Sequence, residues 1–151
     1  MIQRIQTVYL ALAGICLALA SLLDYVVMTN GNVNFVFNVK GFFVDGNNLS
    51  KFPYFITVPL CTALSFGAIA FFKKRKIQLT ICRINYLLVL AIIVLMFTNT
   101  MTFAESIGAN PGNIAYKGGF FMPVPALIFL ILAQRGIKKD EALIRSIERL
   151  R

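Results

Sequence analysis

Histidine is absent from this 151-residue chain, and Asp and Glu together number only six. The commonest general base and metal ligand is therefore missing. No acidic pair, nucleophile elbow, P-loop or metal-ligand spacing appears in any loop. The expectation is a protein that is not an enzyme and that holds no metal and no cofactor. Cysteine is scarce as well. Cys16, Cys61 and Cys82 lie singly in or beside three different apolar stretches, with no CxxC pair. A disulfide framework is thereby excluded, and so is a quinone-linked thiol oxidase, which needs paired cysteines at the outer face.

Charge is the third shortage. Only 14% of the residues are charged and 58% are hydrophobic, where a soluble domain is about a quarter charged. The apolar excess falls in blocks at 7–28, 52–72, 84–103 and 118–134. Crossing a hydrocarbon core of ~30 Å takes ~20 apolar residues at about 1.5 Å each, so each block is read as a transmembrane helix. The fold class expected is all-α membrane: one domain, 1–151, built as a four-helix transmembrane bundle. Its outer loops are 29–51 and 104–117, and its inner loop is 73–83.

The net charge of +9 follows from topology. With a cytoplasmic N-terminus, all the lysines and arginines except Lys40, Lys51 and Lys117 fall on the inner side. Those three are balanced outside by Asp24, Asp45 and Glu105. The positive-inside rule accounts for this distribution, so nucleic acid is not needed as a partner. The localisation expected is the bacterial inner (cytoplasmic) membrane, multi-pass, with both termini cytoplasmic. Partners expected are the lipid bilayer, anionic lipid at the basic inner face and other membrane proteins of an envelope complex. Arg4, an apolar run and Ala18-Leu19-Ala20 imitate a signal peptide. The apolar pattern resumes at Tyr25-Val26-Val27-Met28, which predicts an uncleaved first helix.

The first outer loop has its own pattern. Val33, Phe35, Phe37 and Val39 alternate with Asn34, Val36 and Asn38, the period of a half-buried strand. Lys40-Gly41 turns the chain and Phe42-Phe43-Val44 returns, giving a small extracytoplasmic β-hairpin, while Asp45-Gly46-Asn47-Asn48 reads as a second turn. Two strands alone are marginal in water, so the hairpin should pack on the helices, with Ile114-Ala115-Tyr116 as a third strand. At the other end Arg135-Gly136-Ile137 reads as a glycine helix stop. Asp140 then caps a separate cytoplasmic amphipathic helix over 140–151. Its apolar face of Leu143, Ile144, Ile147 and Leu150, with Arg145 and Arg149 on the polar face, is a candidate partner or lipid surface.

Within the helices, small residues recur at spacings of three and four: Ala11, Gly14, Ala18 and Ser21 in the first, and Ala63, Gly67 and Ala70 in the second. They are read as close packing between neighbouring helices. Asn85 and Asn99 fall on nearly one face of the third helix and should bond across helices, worth ~0.6 kcal/mol on average. Pro59 interrupts the second helix, and Pro123 and Pro125 the fourth. Each removes a backbone donor and frees a carbonyl four residues earlier. Paired interruptions of this kind can mark a transporter site, so Phe55, Pro59, Phe121, Pro123 and Pro125 form a candidate ligand cavity.

Two end motifs carry a resemblance. Met1-Ile2-Gln3-Arg4-Ile5-Gln6-Thr7 runs into Tyr9-Leu10, and Arg135-Gly136-Ile137-Lys138-Lys139-Asp140-Glu141 is followed by Leu143-Ile144-Arg145-Ser146. Together they resemble an uncharacterised family of four-helix integral membrane proteins from Bacteroidota, a domain of unknown function. The resemblance covers essentially the whole chain and implies four spans in a bacterial inner membrane, with no activity and no catalytic residues. The long, strand-bearing first outer loop is also similar to claudin-like proteins, an analogy of topology alone. The leading function is thus an accessory or scaffold subunit of an envelope complex. The alternative is a small transporter or lipid-binding protein using the proline-interrupted outer halves.

Overall fold

A computed structural model describes residues 2–31, 33–44, 47–50, 54–72, 74–109 and 111–148. Four long helices pack side by side, and a small antiparallel sheet sits at one end of them. The helices are α1 (Ile2–Leu22), α2 (Tyr54–Ala70), α3 (Arg75–Ser106) and α5 (Pro123–Glu148), the last preceded by a single turn, α4 (Gly118–Phe121). Neighbours run α1–α2–α3–α5 and back to α1, so α1 faces α3, and α2 faces α5, across the diagonals. The chain alternates direction through the four, which puts the start of α1, the end of α5 and the α2–α3 connection at the end opposite the sheet.

The helix surfaces show what solvent they are built for. On α1, Leu10, Ala13, Leu17 and Ala20 are buried at helical spacing, while Ile5, Val8, Leu12, Ile15 and Leu19 are exposed on the other side. On α3 the buried set includes Asn85 and Thr100, and the exposed set is Leu87, Leu90, Val94, Leu95 and Phe97. These helices are apolar on the buried face and on the exposed face alike, the character of a membrane-spanning helix. Three helical stretches, Ile5–Leu22, Arg75–Ser106 and Gly118–Leu143, are long and apolar enough to cross one. The fourth, α2, is apolar but has 17 residues, about 26 Å at 1.5 Å per residue.

The sheet has five strands in the order β4-β3-β2-β1-β5, every neighbouring pair antiparallel. They are β1 (Val26–Asn30), β2 (Val33–Asn38), β3 (Gly41–Val44), β4 (Asn47–Ser50) and β5 (Ile114–Tyr116). The expected hairpin is β2–β3, turned at Val39-Lys40 with Gly41 at φ 129° and the Lys40 amide donating to Asn38 Oδ1 at 2.9 Å. One face of the sheet packs on the helices through aromatic rings. Phe37 stacks on Phe42 at 4.3 Å, Phe42 on Phe103 of α3 at 3.8 Å, and Tyr54 of α2 meets Phe37 edge-on at 5.8 Å. Each such pair contributes ~0.5–1.5 kcal/mol beyond burial, which ties sheet and helices into one core.

Several boundaries differ from the sequence reading. The first helix stops at Leu22 rather than at 28, because Val26–Met28 belongs to an interior strand of the sheet, with β2 on one side and β5 on the other. Both Val26 and Met28 are fully buried, so this strand is as apolar as the helix before it. Ile114–Tyr116 is a strand as expected, but it joins β1 and not the hairpin. Asn47 and Asn48 belong to β4 instead of a turn; residues 45 and 46 lie outside the described residues. The inner connection shrinks, because α3 already begins at Arg75 and buries Gln78, Leu79 and Cys82 in its first turns.

The largest difference is at the C-terminal end. α5 runs without a break from Pro123 to Glu148, so there is no stop at Gly136, and the described part of the expected separate helix, 140–148, continues α5. Gly136 serves close packing, since a Cβ there would lie 2.9 Å from Gln6 Cγ. The small-residue stripe of α2 is also not at an interface. Ala63 and Ala70 are exposed, a Cβ on Gly67 would meet nothing within 4 Å, and the buried face is Cys61, Ser65 and Ala68. On α1 the stripe does pack, with Gly14 against the Phe66 ring.

Candidate functional site at the basic end

The end opposite the sheet carries most of the positive charge. Lys74, Lys76, Arg135, Lys138 and Lys139 are exposed there. Beneath them Asp140 and Gln6 are each only 6% exposed, a burial carboxylates rarely reach unless paired. The Gln6 side-chain amide donates to Asp140 Oδ2 at 2.6 Å, and the Arg75 guanidinium donates to the Asp140 backbone carbonyl at 3.3 Å. Three elements thus converge on one residue: the start of α1, the start of α3 and the distal third of α5. Gly136 makes room for the Gln6 stem one turn earlier on α5. Charge-assisted bonds of this kind are about twice as strong as neutral ones. The arrangement is a clamp of donors, an acceptor and a flanking cation.

The consequence is mechanical. Because α5 is held at Asp140 and continuous beyond it, residues 141–148 prolong the same helix. Of the surface proposed from sequence, Leu143 is 47% exposed, and Ile144, Arg145 and Ile147 lie on the helical backbone of α5. Arg149 and Leu150 lie outside the described residues. Nothing in the sequence reading joined Gln6 to Asp140, 134 residues apart. The available signal was a polar side chain one turn from buried Leu10 on α1, and an acid four residues after a glycine on α5.

The proline residues are distributed differently. Phe55 is 59% exposed and Pro59 is exposed, both on α2. Phe121, 56% exposed, ends α4, and its ring lies near Tyr116 and Phe120. Pro123 is buried as the first residue of α5, and Pro125 is partly buried two residues on. Both stand in a first turn, where a helical N–H has no acceptor within the helix anyway, so they start α5 instead of kinking it. The five residues share the sheet end, but α2 and α5 are diagonal, so the structure does not bring the two groups together.

Two polar contacts inside the helices follow the sequence expectation. Asn85 Nδ2 donates to Ser65 Oγ at 2.8 Å and to the Cys61 carbonyl at 3.1 Å, joining α3 to α2. Asn99 donates to the Tyr54 hydroxyl, joining the same two helices near the sheet. Asn85 Oδ1 and Tyr25 Oη are buried without a hydrogen-bond partner among the described residues. Among those residues no group of three or more His, Cys, Asp or Glu could hold a metal ion.

No curated protein matches this chain. A family model described as a domain of unknown function, DUF4293, matches residues 2–150 and so includes all three helices that meet at the clamp. The chain belongs to that family.

Proposed function

We propose that this protein is a non-enzymatic, four-span accessory or scaffold subunit of an envelope complex in a bacterial inner membrane, with both termini in the cytoplasm. The observation that carries the reading is the clamped, uninterrupted α5. A helix of 26 residues is about 39 Å long and exceeds a ~30 Å hydrocarbon core. Its surplus projects at the basic end, where the Gln6–Asp140 bond and Arg75 hold it in place. A free helix so short is marginal in water, whereas one growing out of a packed helix is pre-organised to dock. The basic residues around it suit anionic lipid, each worth about 1 kcal/mol near the surface. Orientation follows from the same charges, and α2 spans as the shortest member by packing against α1 and α3. Nucleic acid is not among the partners of this reading.

The test is purification in mild detergent with the α5 extension intact and with Leu143→Glu plus Ile147→Glu. The expected result is that the variant inserts and accumulates normally while stoichiometric membrane-protein partners are lost. If the wild-type chain purifies alone, or if partners survive in the variant, the scaffold reading fails. A variant that keeps its partners and only becomes protease-sensitive at its C-terminal end would assign the segment to the lipid surface.

A further inference from the structure

At the sheet end, a half-open groove of about 380 Å³ lies between the last turn of α1 and the β2–β3 turn. Its walls include Leu22, Leu23, Asp24, Asn38, Lys40 and Phe43. We infer that this groove binds the head group of a zwitterionic phospholipid bearing a primary ammonium, phosphatidylethanolamine by chemistry, with Lys40 on the phosphate and Asp24 on the ammonium. The inference is independent of the scaffold reading, which rests on the opposite end.

The argument begins with position. Leu22 is 80% exposed and Leu23 40% exposed, and they close the apolar helix α1 immediately before Asp24. Such a boundary is where acyl chains give way to head groups, so apolar and charged lining meet at one depth. Charge comes next. Asp24 and Lys40 are both exposed and border the same groove, and among the described residues neither side chain makes an ion pair. Two opposite charges held on one groove, each open, match a ligand carrying both signs.

The backbone under both charges is fixed. The Asp24 carbonyl accepts the Gly119 amide at 3.1 Å, and the Lys40 amide is bonded to Asn38 Oδ1 at 2.9 Å. The groove's charges are therefore carried on anchored turns, which lowers the cost of ordering them around a ligand. Selectivity follows from donors. A primary ammonium offers three N–H groups and a positive charge to a carboxylate, a quaternary one offers no N–H, and a glycerol head group, its phosphate on Lys40, offers Asp24 only neutral hydroxyls. Leu22 and Leu23 give the acyl chain an apolar path beside the charges.

The experiment uses the full chain in nanodiscs of equal phosphatidylethanolamine, phosphatidylcholine and phosphatidylglycerol, with retained lipid read by native mass spectrometry. The expected result is retention of phosphatidylethanolamine about tenfold above either competitor. Asp24→Asn should abolish the preference, and Lys40→Gln should lower retention of all three lipids; both sites are exposed and leave the backbone bonds intact. Lys117→Gln, an exposed charge at the same end but outside this groove, should leave preference and retention unchanged. Equal retention of the three lipids, or loss of preference in all three variants alike, overturns the assignment. Soluble phosphoethanolamine at the same concentration should not displace the lipid; displacement at equal concentration would overturn the lipid as the occupant.

Discussion

Replacing Gly119 by alanine tests how the sheet is fastened to the helices. Gly119 is buried in the turn α4, and a Cβ there would lie 2.7 Å from both the Leu23 and Asp24 carbonyl oxygens and 2.8 Å from Tyr25 Cδ1. Two of those atoms are backbone and cannot rotate away. The neighbouring segment cannot retreat either, because Tyr25 N donates to Phe37 O at 2.8 Å and Lys117 N donates to Tyr25 O at 2.8 Å. Relief requires α4 to back off, which breaks the Gly119 N to Asp24 O bond and strains the Lys117 one. Overpacking costs ~1–3 kcal/mol and each lost backbone bond ~1 kcal/mol. Alanine's helix propensity returns at most ~1 kcal/mol. The net loss is therefore about 1–3 kcal/mol, a fall in Tm of ~2–12 °C for a chain of this size. Thermal unfolding in detergent reads it directly, with Gly67→Ala as the control, since a Cβ there meets nothing within 4 Å. If Gly119→Ala melts within about 1 °C of Gly67→Ala, the close approach of α4 to the α1–β1 link is not what holds the sheet.

Gln6→Leu should leave the Asp140 carboxylate buried without its donor, at a cost of ~1–3 kcal/mol or more for a charged group, and limited proteolysis should cut α5 beyond residue 140 sooner than in wild type. Equal cleavage rates would show that the clamp does not rigidify the extension. Asn85→Ala should weaken α2–α3 association, and a double-mutant cycle with Ser65→Ala should return a coupling of roughly 0.6 kcal/mol, the average for such bonds in membranes; a coupling of zero would mean that the 2.8 Å contact carries no energy. Cysteines introduced at Asn47 and Lys74 should label oppositely in intact cells, position 47 from outside and position 74 only after permeabilisation. Labelling of position 74 from outside would overturn the orientation.

How far the sequence alone reached depends on whether a property is local. Membrane character is local, because transfer into hydrocarbon depends on the composition of each block, and the exposed apolar faces of α1 and α3 carry it. The β2–β3 hairpin is local too, since the alternation from Val33 to Val39 and the glycine at 41 specify strand and turn within a dozen residues. Asn85 was legible as a bond across helices because an amide in an apolar helix has few other ways to be satisfied. The end of α1 was not legible. Tyr25 to Met28 is equally apolar as a helix tail or as a central strand, and hydropathy does not separate the two; pairing with Phe35, Phe37 and Ile114–Tyr116 decides it. Gly136 reads as a stop only if no other helix is near it, and in the folded chain Gln6 is against it. The neighbour order that separates the proline groups, and the meeting of Gln6 with Asp140 across 134 residues, belong to the tertiary structure alone. No local pattern encodes which helices will touch; that is settled by the combined packing of all four and by the sheet that joins their ends.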